Sequence, residues 1–264
     1  MSRSALRFVL GVWTALVMFF LIAPIVAIMP IAFSSDTFLS FPIPAFSLRW
    51  FEAVLQEYPW LFALRNSSII AIATVALSVP LGTLAAYGLA HPFPLRGLVT
   101  GILISPMIVP VVIVGLSSFF FFSGLGLHGS FVGLIMAHTI LALPFVIIPI
   151  SATLKNYDQN LTRAASGLGS PPWTTFRTVT LPLIIPGVVS GAVFAFITSF
   201  DEVVVALFVS SPSTLTLPRQ LFSGLRDQLT PALVAIAFLL TVVSCLALVA
   251  NELLKPRRAT RLEN

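Results

Sequence analysis

The chain has 264 residues, of which 58% are hydrophobic and only 9% are charged, and its net charge is +5 at neutral pH. A soluble domain carries about 25% charged residues, and a globule of this size could not bury so much apolar surface. The composition therefore excludes a soluble domain and a disordered chain and leaves an integral membrane protein.

Long uncharged segments divide the chain into stretches that can cross a membrane as helices of about 20 apolar residues. The longest segment, from Arg96 to Lys155, encloses 58 uncharged residues and holds two helices around the glycine-rich turn at 123–130. None of the runs shows the alternating polarity of a β-barrel strand. We therefore predict an all-α integral membrane protein in which residues 1–264 form one transmembrane domain. Its six predicted transmembrane helices lie near 8–33, 64–90, 98–122, 131–154, 186–209 and 231–254.

The distribution of lysine and arginine predicts the orientation of these helices. With the N-terminus inside, ten basic residues lie on the cytoplasmic side of the membrane and four lie outside. Both termini are then cytoplasmic, and the basic tail anchors the topology rather than binding nucleic acid. The ten predicted cytoplasmic residues are Arg3, Arg7, Arg96, Lys155, Arg163, Arg177, Lys255, Arg257, Arg258 and Arg261.

The loop between the fourth and fifth helices, residues 155–185, is predicted to form an elbow of two short helices. Asn160 or Thr162 would cap the first helix, which would end at Leu168. Gly169 would then occupy the position after the helix, where a left-handed backbone is needed.

A pair of prolines starts the second short helix of the elbow, and Leu181-Pro182 is predicted to end it before the fifth span. Trp173, Phe176 and Val179 fall on one face of this helix. An exposed apolar face in a loop usually marks a protein interface, and the alternative is a helix that lies on the membrane surface.

The residues of this loop also carry a family resemblance. Arg163-Ala-Ala-Ser-Gly-Leu-Gly169 is followed after nine residues by Val179-Thr-Leu-Pro182. This pattern resembles the EAA motif of binding-protein-dependent ABC importer permeases, which reads Glu-Ala-Ala, three residues, Gly, nine residues and Ile-x-Leu-Pro. The spacing matches throughout, with Arg163 in place of the glutamate and Val179 in place of the isoleucine.

The resemblance implies the six-helix fold of a type I ABC importer permease and identifies the elbow as its coupling helix, which docks in a cleft of an ATPase subunit. It implies this coupling role for Ala164, Ala165, Gly169 and Pro182. Arg163, Trp173 and Phe176 complete the predicted coupling surface, and a complementary acid on the ATPase would pair with Arg163.

The same resemblance implies the partners and the location of the chain. An ABC ATPase dimer would bind ATP and Mg, so this chain needs no cofactor of its own. A second permease, related rather than identical, would supply the other half of the pathway in the bacterial inner membrane. A substrate-binding protein outside the membrane would deliver the solute.

Segments 46–50 and 63–67 resemble the first outer loop and second span of polyamine-type permeases. Segments 199–206, 216–223 and 230–232 resemble the C-type subunit of spermidine/putrescine importers. This subgroup implies a small cationic solute of the polyamine type, and other amino compounds or iron-type ligands remain open.

Asp201 and Glu202 form the only acidic pair inside a predicted span. An ionisable group there is costly unless it faces water or a partner, so each needs a role. For Asp201, attraction of a cationic substrate at the outer gate and a structural ion pair both remain open. For Glu202 we favour the structural role, with an outer-loop arginine such as Arg219 as a partner.

No motif in the sequence predicts a catalytic site. The only lysines, Lys155 and Lys255, do not lie in a phosphate-binding loop, and the three histidines are scattered. We expect His138 to be packed or hydrogen-bonded in its helix. A self-sufficient secondary transporter or channel is the alternative, but it would need buried ion-coupling residues and repeated halves.

Overall fold

The structure is a computed structural model that describes residues 3–56, 58–227 and 229–254. The predicted basic tail, 255–261, lies outside these residues. The described part of the chain is helical, and its only β pairing is an isolated bridge between Ser34 and Phe46. The α-helices are α1 (Arg3–Ile28), α2 (Arg49–Gln56), α3 (Tyr58–Leu89), α4 (Arg96–Ile108), α5 (Val111–Gly124), α6 (Phe131–Lys155), α7 (Gln159–Gly167), α8 (Pro172–Thr175), α9 (Leu181–Phe200), α10 (Val204–Val209), α11 (Leu217–Asp227) and α12 (Pro231–Leu254).

By length and apolar composition, four helical segments of the described chain can each cross a membrane, and the bent pair α4–α5 adds a fifth if it counts as one span. The four segments are Leu6–Phe33, Pro59–Leu89, Phe131–Lys155 and Pro172–Phe200. Helix α12 has 24 residues, and its stretch Pro231–Leu246 is apolar.

Two predicted spans differ from the helices observed. The predicted helix 98–122 is broken at Val109–Pro110, where α4 and α5 meet at an angle of 101°. Pro110 has no N–H to continue the hydrogen bonds of α4, and it instead begins α5 as its N-cap residue. The predicted helix 186–209 begins earlier and ends at Phe200, and a break separates it from α10.

The chain divides into two compact units, one formed by residues up to Leu61 and from Ser223 onward, the other by Phe62–Phe222. In the first unit, α12 packs against α2 and the 3-10 turn Met29–Phe33 that ends α1. Phe33 and Phe51 both contact Phe238 of α12. The centroid of the Phe238 ring lies 5.3 Å from that of Phe33 and 5.7 Å from that of Phe51. These rings fix the chain between α1 and α2 onto α12.

The loop between α1 and α2 is held by the carboxylate of Asp36, which accepts hydrogen bonds from the Ser40 hydroxyl at 2.9 Å and the Thr37 N–H at 2.7 Å. The bond from Ser40, followed by the N–H groups of Phe38 and Thr37, lowers the pKa of Asp36. The Trp50 indole N–H donates to the Asp36 carbonyl at 3.0 Å. These bonds order the loop next to the membrane span.

In the second unit, α6 and α9 form the central helix pair. Gly187 and Gly191 lie one turn apart on α9, and a Cβ at Gly187 would collide with the side chain of Thr153 on α6. Small residues on α9 therefore permit the close approach of α6. Gly97 and Gly101 show the same spacing on α4, but a Cβ at either would meet open space, so they pack against no other helix among the described residues.

Candidate functional site

The first half of the elbow is α7, and its two ends are fixed by short-range hydrogen bonds. Its N-cap is Asp158, whose carboxylate accepts from the Asn160 N–H at 2.9 Å. The prediction that Asn160 or Thr162 caps this helix is therefore wrong. Asp158 precedes the first helical residue and has an acceptor to offer, whereas the Thr162 hydroxyl pairs with that of Tyr157.

The turn after α7 is built on Gly169, whose φ is +83°. The left-handed conformation predicted for this glycine is confirmed. The Ser170 N–H reaches back to the Ala165 carbonyl at 3.1 Å, closing the helix end in the manner of a Schellman turn. A residue with a Cβ would be strained at this φ, so the sharp angle of the elbow depends on glycine.

The second half of the elbow does not stop before the membrane. A π turn, Phe176–Thr180, connects α8 directly to α9, and the Leu181 N–H bonds to the Phe176 carbonyl five residues back. The prediction that Leu181-Pro182 ends the helix is wrong, because Pro182 falls in the first turn of α9, where a missing N–H interrupts no α-helical bond. The result is one continuous helical rod, Pro172–Phe200.

The predicted coupling residues divide into an exposed and a buried set. Trp173 is 66% exposed and Leu168, at the tip of the elbow, is 90% exposed. Phe176 is buried, its ring 5.1 Å from Tyr87 of α3 and 5.6 Å from Trp173. Phe176 therefore anchors the elbow to α3, and its ring stacks against the indole of Trp173.

The other residues predicted to take part in coupling lie at the surface of the elbow. The structure leaves Arg163, Ala164, Gly169 and Pro182 exposed, and Ala165 is half-buried. Leu168 was not among the predicted coupling residues. Its exposure could have been predicted from the sequence, because Leu168 is a large apolar residue in a polar loop, directly before a glycine turn. An exposed apolar residue at such a place suggests an interface.

At the other end of the rod, Asp201 and Glu202 lie in the break between α9 and α10 rather than inside a continuous helix. Asp201 is the exposed residue that terminates α9. The Glu202 carboxylate is half-buried and accepts from the Val205 N–H at 2.9 Å, which caps the N-terminus of α10. Arg219, the suggested ion-pair partner, donates instead to the hydroxyl of Ser210.

Buried polar residues that were not predicted from the sequence hydrogen-bond to the segment after α10. Asn66 of α3 donates to the carbonyls of Ser213 and Leu215 at 3.3 and 3.0 Å, and the Ser67 hydroxyl accepts from the Leu217 N–H at 2.8 Å. The signal in the sequence was the polar pair Asn66-Ser67 within an otherwise apolar span. These bonds position the chain that follows the acidic pair.

His138 confirms the prediction of a packed, hydrogen-bonded histidine. It is fully buried, and its Nδ1 lies 2.9 Å from the Ser199 hydroxyl, which in turn donates to Thr74 at 3.3 Å. This chain of bonds joins α6, α9 and α3 two residues before Asp201. The end of the rod is thus tied to two neighbouring helices.

Comparison with known proteins places these features in a family. Residues 78–260 match the family described as binding-protein-dependent transport system inner membrane component. The chain is 32% identical over 257 residues to the spermidine/putrescine transport system permease protein PotC of Haemophilus influenzae, covering 96% of this chain and 98% of that one. It is 31% identical over 230 residues to the putrescine transport system permease protein PotI of Escherichia coli, covering 84% and 81%.

A solved structure shares the fold at low sequence identity. It is a bacterial alginate ABC transporter in complex with an alginate pentasaccharide-bound periplasmic protein, with a TM-score of 0.71, 18% identity and coverage of 99% of this chain and 97% of that chain. The helical arrangement is therefore that of an importer permease.

Proposed function

This chain belongs to the family of inner membrane components of binding-protein-dependent transport systems, and from that premise we propose that it forms half of an ATP-driven ABC importer pathway for a small, cationic, polyamine-like solute. Residues 1–264 act as a single transmembrane domain in this proposal. The other half of the pathway is a related permease, and an ABC ATPase dimer on the cytoplasmic side binds ATP and Mg. Both termini of this chain face the cytoplasm.

The observation that carries the proposal is the continuity between the elbow and the membrane helix. Trp173 is exposed at one end of a helical rod of 29 residues, about 43 Å long, and the exposed Leu168 lies at the elbow just before the rod. Asp201 lies at the other end. When the ATPase cleft closes on the elbow, the rod moves with it, and the region around Asp201 alternates between outward and inward access.

Leu168 and each of the predicted coupling residues have a part in this transmission. Trp173 and Leu168 insert into the ATPase cleft, Arg163 pairs with an acid on its rim, and Ala164 and Ala165 allow close approach. Gly169 fixes the angle of the elbow, while Phe176 and Pro182 preserve its connection to α9.

The charge at the far end of the rod favours a cationic solute. The Asp201 carboxylate is exposed, whereas that of Glu202 is used to cap α10. The relatives with about 30% identity carry spermidine and putrescine in their names. A substrate-binding protein outside the membrane delivers the solute, in keeping with the periplasmic protein bound to the structural neighbour.

The test is the ATPase rate of the complete transporter in liposomes, stimulated by its binding protein loaded with putrescine, spermidine, an iron chelate or an amino acid. We expect stimulation and uptake with a polyamine. Stimulation only by another solute would refute the polyamine assignment and leave the importer role intact. Uptake by this chain alone, without an ATPase, would refute the importer role itself.

A further inference from the structure

A cavity of about 670 Å³ lies within the second unit, between α3, α4 and α6, close to the start of α7. Its size is that of an ordinary small-molecule site. Arg96 and Lys155 are its charged lining residues, and no acidic side chain lines it. The cavity therefore favours an anion, and it does not belong to the coupling surface or to the acidic pair.

The lining of the cavity changes from charged to apolar along both helices. On α4, Arg96, Thr100 and Ile104 follow at intervals of four residues and so share one face. On α6, the lining passes from Lys155 through Ser151 to Ile147 with the same spacing. On each helix the basic residue and the isoleucine are eight residues apart, which corresponds to about 12 Å along the helix axis.

The charged end of this gradient lies at the boundary of the membrane. Lys155 is the last residue of the span Phe131–Lys155, and Arg96 is the first residue of α4. Lipid phosphates lie at this level, and acyl chains lie deeper. A soluble anion would fill only the charged end, whereas a phospholipid matches the whole cavity.

We propose that this cavity binds an anionic phospholipid, with the headgroup phosphate between Arg96 and Lys155 and an acyl chain along Ile104 and Ile147. Tyr157 and Gln159, at the start of the elbow, also line the cavity. A bound lipid therefore contacts both the membrane helices and the elbow.

The test is lipid binding by the full-length protein, purified from membranes in an uncharged detergent with the subunits that accompany it. After delipidation, native mass spectrometry measures the binding of phosphatidylglycerol and of phosphatidylcholine. We expect phosphatidylglycerol to bind at least tenfold more tightly. R96Q/K155Q should lower this affinity about tenfold or more, because each basic residue near the headgroups contributes to the attraction.

The matched control is R7Q/R226Q, which removes two exposed arginines that do not line the cavity. It should bind phosphatidylglycerol like the unaltered protein. An equal loss in this variant, or equal binding of phosphatidylcholine, would overturn the proposal.

Two further measurements separate a lipid from a soluble anion and from misfolding. I104W fills the apolar end while keeping both cations, and it should weaken phosphatidylglycerol binding with an unchanged midpoint of thermal unfolding. Glycerol 3-phosphate and inorganic phosphate should not displace the lipid at millimolar concentration. Displacement by either, or full binding by I104W, would identify a soluble anion site and refute the lipid.

Discussion

At the scale of single residues, the neighbouring carboxylates of Asp201 and Glu202 have different surroundings. Glu202 accepts a hydrogen bond from the N-terminal turn of α10, where the helix dipole favours a negative charge. Asp201 is exposed at the end of α9. The pair was visible in sequence as the only acidic dipeptide within an apolar run. The sequence favoured a structural role for Glu202, but its hydrogen bond to the Val205 N–H could not be predicted, because it depends on the break in the helix after Phe200.

Asp201→Asn should raise the KM for putrescine uptake about fivefold, because an exposed carboxylate attracts a cation moderately through water. The variant should assemble normally and unfold at the unaltered temperature. Uptake in proteoliposomes at low and at high salt checks this, since the defect should shrink as salt screens the charge. Unchanged uptake at low salt would remove Asp201 from the pathway.

Glu202→Ala should act on stability, because it leaves the first turn of α10 without its side-chain acceptor. We expect a loss of about 1 kcal/mol, the usual cost of deleting a helix cap. Glu202→Gln keeps an acceptor and should lose less. Thermal unfolding of both variants in detergent measures the difference, and equal losses would argue against the capping role.

At the scale of the helices, the sequence predicted where apolar segments lie better than where they break. The ends of α6 agree with prediction within one residue, because the membrane fixes the length of a span and charged or turn-forming residues border it. Prolines inside the predicted spans, Pro110 among them, favour kinks, but neither the sharp break of 101° at Pro110 nor the continuation of the helix through Pro182 was predicted. A proline breaks a helix only where its missing N–H interrupts the hydrogen bonds, and Pro182 lies in the first turn of α9, directly after the π turn.

The close packing of α6 and α9 gives a prediction at this scale. Gly187→Val should destabilise the protein by roughly 1–3 kcal/mol, the usual cost of overpacking, because the new side chain meets Thr153 and the carbonyl of Pro149. Gly101→Val, where a Cβ meets open space, is the matched control and should be tolerated. Membrane yield and unfolding temperature report on both, and equal effects would contradict the packing role of Gly187.

The angle of the elbow depends on the left-handed backbone at Gly169. Gly169→Ala should cost about 1 kcal/mol locally and change the direction of α7 relative to α8. We expect the complex to hydrolyse ATP with weakened dependence on the loaded binding protein. Gly167→Ala, two residues earlier in α7 with open space around it, is the control. Normal stimulation in the Gly169 variant would show that the elbow angle does not matter for coupling.

At the scale of the whole molecule, the family membership explains why a chain with so few charges keeps a polar, sharply turned loop between α6 and α9. Among the described residues, the loop between α6 and α9 combines a capped helix, a glycine turn and an exposed tryptophan. The motif spacing located this surface from sequence, since the pattern records the positions of turn residues. It could not tell that Phe176 faces inward, because that depends on Tyr87 from a distant helix.

The exposed apolar tip of the elbow should carry the binding of the ATPase. Leu168→Asp, alone and with Trp173→Ala, should lower the amount of ATPase that co-purifies by at least tenfold, because truncating or charging buried interface anchors commonly costs 2 kcal/mol or more. Leu225→Asp changes another exposed leucine, in α11, and should retain the ATPase. Circular dichroism and elution volume establish that each variant folds. If the elbow variants keep as much ATPase as the unaltered protein, the exposed tip does not carry its binding.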